Sequence, residues 1–177
     1  GPLRTVRDTN TGLPLLKLPE GFSYTSFGWT NEAMDGGVAT PDSHDGMGVV
    51  ASSGSRVTLV RNHEVTTGWG SFAPPEATYD PRCAGGTATL EFDTATGKLL
   101  SARATLGGTV QNCAGGTTPW GSWLSCEEFV SAKGPVALSG VTYDLEKDHG
   151  FVFEVPAQGL SRAEPLVAMG QFTPPLA

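Results

Sequence analysis

The stretch TLVRNHE at residues 58–64 is echoed by SWLSCEE at residues 122–128. Each is a short, mostly apolar run that closes on an acidic residue, Glu64 in the first and Glu128 in the second. A second pair keeps nearly the same spacing. LEFD at residues 90–93 returns as FEVP at 153–156, so the two offsets are 64 and 63 residues. Self-similarity at a fixed period, with several strands per unit, is how propeller blades show in a sequence. The period exceeds the roughly 40–50 residues of common propeller repeats, which leaves room for long loops between strands.

Working outward, residues 47–51 and 57–60 flank a turn at 52–55 and predict a hairpin. Residues 87–92 and 98–106 flank DTATG at 93–97 and predict a second one. Asp at the start and Gly at the end of such a loop suit a turn that closes on a left-handed residue. Alternation predicts strands at 151–155 and, through Phe22, Tyr24 and Phe27, at 21–29. Further strands are expected at 120–126, 141–143 and 165–169. Residues 13–20 read as an extended lead-in, and residues 35–37, 41–46, 69–82, 107–116 and 131–148 as loops. His149 and Trp69 fit either the core or its rim. The expected fold is all-β, one domain over residues 1–177, with about two to three β-propeller blades. A closed propeller needs at least about four blades of four strands. The expectation is therefore an incomplete propeller: a fragment, a chain that self-associates through open strand edges, or a smaller sandwich.

Composition agrees with many turns, since 24 of the 177 residues are Gly and 13 are Pro. Apolar residues make up 38% of the chain, in runs far shorter than the roughly 18 residues of a membrane span. No membrane role is expected. The first ten residues lack the apolar stretch of a signal peptide, so an export signal is expected to have been removed or never present. The formal charge of −7 argues against nucleic acid, whose binders carry a basic face. An acidic protein that handles phosphate must overcome its own field locally, and bound cations are the usual means.

Four segments have chemistry in them. His44-Asp45-Gly46 lies near Asp35 and Asp42, and loop carboxylates suit a hard cation such as calcium, as well as a plain solvated loop. In Asn62-His63-Glu64, alternation sends Asn62 and Glu64 to one face, a half-shell for a cation or an ordinary strand exit. Cys113 sits among small residues that let backbone approach closely, and its thiolate would be a soft ligand for iron or zinc, or a buried structural thiol. Glu127 and Glu128 must point to opposite faces, and by the echo with Glu64 the one to share a site with Cys113 is Glu128. Cys83, Cys113 and Cys126 make an odd set: three thiols, or one disulfide and one free thiol.

LPEGFSYTSF at 18–27, HDGM at 44–47, LVRNHE at 59–64, GGTATLEFDTATG at 85–97, NCAGGTTPWGSWLSCEE at 112–128 and HGFVFEV at 149–155 run in one order. Together they resemble the PhoX family of secreted bacterial alkaline phosphatases. The resemblance implies a six-bladed propeller with calcium and iron in its central channel. It implies hydrolysis of phosphate monoesters, with metals holding the phosphate. Carried onto this chain, it implies Cys113 as thiolate ligand and Glu64 and Glu128 as carboxylate ligands, with Asp45 and Asn62 as further ones. It also implies a periplasmic or secreted location and a small phosphate-ester substrate.

The family continues for several blades beyond a stretch like residues 167–172, whereas this sequence ends in TPPLA at 173–177. The chain by itself is therefore expected to be weakly active or inactive. Two other readings remain: a non-catalytic calcium-binding propeller module, and a calcium-dependent lactonase-like hydrolase in which Cys113 is incidental.

Overall fold

A computed structural model describes residues 1–66, 70–138 and 140–171 of the chain, without the Leu138 side chain. The expectations placed on Trp69, Phe172 and residues 173–177 lie outside the described residues. The described chain is all-β, interrupted by two single 3₁₀ turns at Pro75–Ala77 and Val167–Met169.

The two hairpins read from the turn chemistry form one four-stranded meander. β3 (His44–Ser53), β4 (Arg56–His63), β5 (Gly85–Asp93) and β6 (Lys98–Thr109) pair in sequence order. β1 (Arg4–Val6) and β2 (Leu16–Leu18) form a small antiparallel arm ahead of them. Gly54 closes the first hairpin at φ +60°, the left-handed conformation that a two-residue turn requires. The second turn closes as its sequence implies: the Gly97 amide donates to the Asp93 carbonyl at 2.8 Å, and the Ala95 amide to Asp93 Oδ1 at 2.9 Å.

The second main sheet has the order β11–β8–β7, built from β7 (Asn112–Thr117), β8 (Ser122–Glu127) and β11 (Val152–Pro156). The sequence echo therefore has a topological counterpart. β4 lies between β3 and β5, and β8 lies between β7 and β11. The registers differ: Leu59 pairs with Leu90, whereas Ser125 pairs with Phe153. A separate hairpin joins β9 (Gly134–Leu138) to β10 (Val141–Leu145). None of the four sheets among the described residues closes on itself.

One core lies where the two main sheets meet. Val50, Val60 and Leu106 pack with Trp123, Phe153 and Val155. A second core, on the other face of the first sheet, joins Leu59, Leu90 and Phe92 to Met34 and Phe27. Of the two tryptophans in the turn and strand after Cys113, Trp123 is buried and Trp120 stands 72% exposed.

Several local expectations are corrected, among them the loops at 41–46 and 131–148, where β3 begins at His44 and where β9 pairs with β10. Residues 21–29 form no strand, because their polar groups are claimed by the N-terminal arm. The Ser26 amide donates to Asp8 Oδ1 at 2.7 Å, and the Thr9 amide to the Tyr24 carbonyl at 3.0 Å. Burial pushes the Asp8 carboxyl up, but hydrogen bonds from the hydroxyls and amides of Ser26 and Thr11 outweigh it and hold the group far below the usual carboxylate range. Residues 165–169 contribute one bridge, Phe153 to Pro165, and then a 3₁₀ turn rather than a strand. The glycine-rich segment 107–116 supplies the end of β6 and most of β7 instead of a loop. Its glycines permit this closeness: a Cβ on Gly115 would collide with the Leu124 carbonyl and the Trp123 ring.

The β6 edge is largely covered by the chain itself. The amides of Asp35, Tyr79, Asp80 and Ser161 donate to the carbonyls of Ala102, Gly107, Gly108 and Thr105, at 2.7 to 2.9 Å. Such cover protects an edge from pairing with another chain.

Candidate metal centre

Strand ends from both main sheets meet around Cys113. The Glu64 amide donates to the Ser43 carbonyl at 2.8 Å, which ties the end of β4 to the loop before β3. Gln111, at φ +49°, stands at the crossing: its amide donates to the Val65 carbonyl at 3.3 Å, and its carbonyl accepts from the Glu128 amide at 2.9 Å. The backbones carrying Glu64 and Glu128 are thus stitched to the residue two before Cys113.

Asp45 reaches the same place because of its neighbour. A Cβ on Gly46 would lie 2.6 Å from the Cys113 carbonyl oxygen, so only glycine lets β3 lie this close against β7. Electrostatics reports the resulting crowding. The Glu64 carboxyl is pushed up by burial, by Asp45 and by Glu128. The Cys113 thiol is pushed up by burial and by Glu128, with Glu64 adding to it. Asp45 and Glu128 thus act on Glu64, and Glu128 and Glu64 act on Cys113, so the Glu64 carboxyl and the Cys113 thiol resist ionisation at these strand ends. A cation among them reverses that balance, because a coordinating thiol is deprotonated outright.

Asn62 is at the same crossing but has a different part. It is fully buried, and its Nδ2 donates to the carbonyls of Cys113 at 3.2 Å and Ala114 at 2.9 Å. Its Oδ1 accepts from Trp123 Nε1 and Ser125 Oγ, both at 2.9 Å. Both donors and both lone pairs of the amide are engaged. Asn62 joins the first sheet to the second and fixes the backbone of Cys113.

A second buried polar cluster carries no signal in the sequence. Asp80, Cys83 and His149 bring donor atoms within 4.8 Å of one another, all three buried. His149 Nδ1 lies 2.7 Å from Glu127 Oε1, and its Nε2 lies 3.3 Å from Asp80 Oδ2 and 3.6 Å from Cys83 Sγ. Each carboxylate also accepts three backbone amides. Asp80 takes those of Arg82, Glu146 and Lys147, and Glu127 those of Val110, Gly150 and Phe151.

Burial alone would lower the His149 pKa, but Glu127 and then Asp80 overcome it and raise it above 6.5. The Cys83 thiol is pushed strongly up by burial, then by Asp80 and Glu127. A bound cation would reverse both shifts, as it would at Cys113, so this triad is a second group of donors that could hold a metal ion. Without one, and with every carboxylate oxygen already accepting, it is a buried Asp–His–Glu network that fastens the loops at 80–83 and 146–151 to the end of β8.

Glu127 and Glu128 therefore separate. Glu127 is 1% exposed and committed to His149, whereas Glu128 lies beside Cys113. All three cysteines are free thiols.

No curated protein and no solved structure matches the chain. Comparison with protein families finds the family described as alkaline phosphatase PhoX, matched over residues 1–104 and 83–173. These spans cover both main sheets and every residue of the Cys113 crossing, and the chain belongs to the alkaline phosphatase PhoX family.

Proposed function

We propose that this chain carries part of a metal-dependent phosphate-monoester hydrolase, with Cys113, Glu64, Glu128 and Asp45 as ligands of a shared calcium and iron site. The observation that carries the reading is the mutual crowding of these four groups where two sheets meet. The donor set suits two kinds of metal. Carboxylate oxygens favour a hard cation such as calcium, and a thiolate favours iron. Bound there, such ions would supply Lewis-acid charge for holding and polarising a phosphate ester. Asn62 positions the sulfur from behind by holding the Cys113 and Ala114 carbonyls. The propeller arrangement belongs to the same proposal, supported by two adjoining meanders whose central strands, β4 and β8, deliver their ends to one place. So does an extracytoplasmic location, which rests on the family resemblance alone.

The test is metal content before activity. Purified protein is stripped, reloaded with calcium and ferric iron, and assayed for bound metal and for hydrolysis of p-nitrophenyl phosphate. Cys113→Ser is expected to lose iron while retaining calcium, and Glu64→Gln to weaken both. Iron uptake unchanged by Cys113→Ser would overturn the assignment. The reading of a calcium-only module predicts calcium without iron in the unaltered chain.

A further inference from the structure

The two nitrogens of His149 make unlike contacts. Nδ1 lies 2.7 Å from Glu127 Oε1, the length of a charge-assisted hydrogen bond. Nε2 has two neighbours at once, Asp80 Oδ2 at 3.3 Å and Cys83 Sγ at 3.6 Å. A single N–H cannot be aimed at both. All three residues are buried, and their donor atoms lie within 4.8 Å of one another.

Those separations are the ones an ion imposes. Tetrahedral zinc, with bonds of about 2.0–2.1 Å to nitrogen and oxygen and about 2.3 Å to sulfur, sets nitrogen and oxygen roughly 3.3 Å apart and nitrogen and sulfur roughly 3.6 Å apart. The contacts of Nε2 have these lengths. The supporting groups are present as well. A histidine that ligates through one nitrogen commonly donates its other N–H to a carboxylate, and Glu127 is that carboxylate. Ligands separated by two residues on one tight turn are the usual half of a zinc site. Here the Cys83 amide donates to the Asp80 carbonyl at 3.1 Å and the Arg82 amide to Asp80 Oδ1 at 2.8 Å, so the turn presents Asp80 and Cys83 to the same ring. The amides of Glu146 and Lys147 hold Oδ2 in place.

The donor set also selects the metal. Calcium takes oxygen ligands and has no use for this nitrogen and sulfur, whereas thiolate with imidazole suits zinc. Binding exchanges one zinc ion for the protons on Cys83 Sγ and His149 Nε2, so the buried cluster keeps its net charge.

We propose that Asp80, Cys83 and His149 bind one zinc ion, with water at the fourth corner, as a structural clasp between the turn at 80–83, the loop at 146–149 and the end of β8. The clasp is distinct from the Cys113 crossing and does not depend on the function proposed for it. In the metal-free chain the same atoms form the hydrogen-bonded network described above.

The experiment uses the full chain carrying Cys113→Ser and Cys126→Ser, which leaves Cys83 as its sole thiol. The protein is stripped with a chelator and given zinc alone. One tightly held zinc per chain is expected after desalting, and X-ray absorption at the zinc edge should show one sulfur at about 2.3 Å among lighter neighbours. Adding Cys83→Ser should remove that sulfur and weaken zinc about a hundredfold, and Glu127→Gln, which touches no metal, should weaken it about tenfold. Cobalt in place of zinc should give a thiolate-to-metal charge-transfer band that vanishes with Cys83→Ser. A spectrum without sulfur, zinc held equally after Cys83→Ser, or no zinc retained would each overturn the proposal. Should Cys83→Ser fail to fold, the parent with its single thiol still decides: the sulfur must be seen, and zinc must raise the melting temperature by at least about 5 °C.

Discussion

His149 Nδ1 lies 2.7 Å from Glu127 Oε1, with neither side chain exposed to solvent, and Asp80 closes on the other ring nitrogen. The pair converts two sequence-distant loops and a strand end into one unit. Because the folded pKa of His149 is raised above its ordinary 6.5, its ionic contribution is complete below that value. It is lost as pH rises through the folded value. Stability should therefore fall as pH rises from 6.5 through the folded value, and a nitrogen-detected NMR titration of the metal-free chain should place the His149 midpoint above that of an unperturbed histidine.

Removing this ring leaves two buried carboxylates facing each other. His149→Gln should cost about 3 kcal/mol or more in a urea unfolding series, the scale seen when one partner of a buried ion pair is deleted. A cost below about 1 kcal/mol would show that water reaches the carboxylates.

Asn62→Ala would strand Trp123 Nε1, Ser125 Oγ and two carbonyls at once. We expect a loss of about 2 kcal/mol or more, from the cost of unpaired buried polar groups. The accompanying signature is weakened iron uptake with Cys113 still present, measured as metal content after reloading.

Glycine substitutions should divide sharply. Gly46→Ala puts a methyl group 2.6 Å from the Cys113 carbonyl oxygen and should separate β3 from β7, lowering both stability and metal uptake. Gly116→Ala meets nothing within 4 Å and should stay within about 0.5 kcal/mol of the unaltered chain. Equal effects of the two, read by thermal melting, would contradict the close approach.

The three thiols should react in an order set by burial. Cys83 is buried, and burial with two carboxylates pushes its thiol up, so it should resist maleimide until the chain unfolds. Cys113 and Cys126 are half-buried and should label in the folded state. Iron, but not calcium alone, should protect Cys113.

Much of the strand framework was legible because its signals are local. Asp93 and Gly97 announce their turn, and the alternation of 87–92 marks the apolar face of Ala88, Leu90 and Phe92, although both faces of β5 are buried. Glu64, Glu128, Cys113 and Asp45 stand out in the sequence as strand ends and glycine-flanked motifs; in the fold Asp45 and Glu128 act on Glu64, and Glu128 and Glu64 act on Cys113. The failures come from partners distant in sequence. Residues 21–29 alternate like a strand, yet Asp8, 18 residues before Ser26, takes the amide that a ladder would need. β7 reads as a glycine loop because the ring that makes its glycines necessary belongs to Trp123. Asp80 and His149 are 69 residues apart, and no spacing rule joins them. Asn62 reads in the sequence as half of a cation shell, and its saturation is not legible there because it depends on Trp123 and Ser125, on a different sheet.

The Asn62 clasp has a consequence for biogenesis. It spans 51 residues to reach Cys113 and 63 to reach Ser125, so it cannot exist until β8 has been synthesised and docked. Contacts of such long separation form late, after their loop-closure entropy has been met. The nascent polypeptide would thus offer only scattered carboxylates to passing ions, and capture of a transition metal would be a maturation step that follows folding.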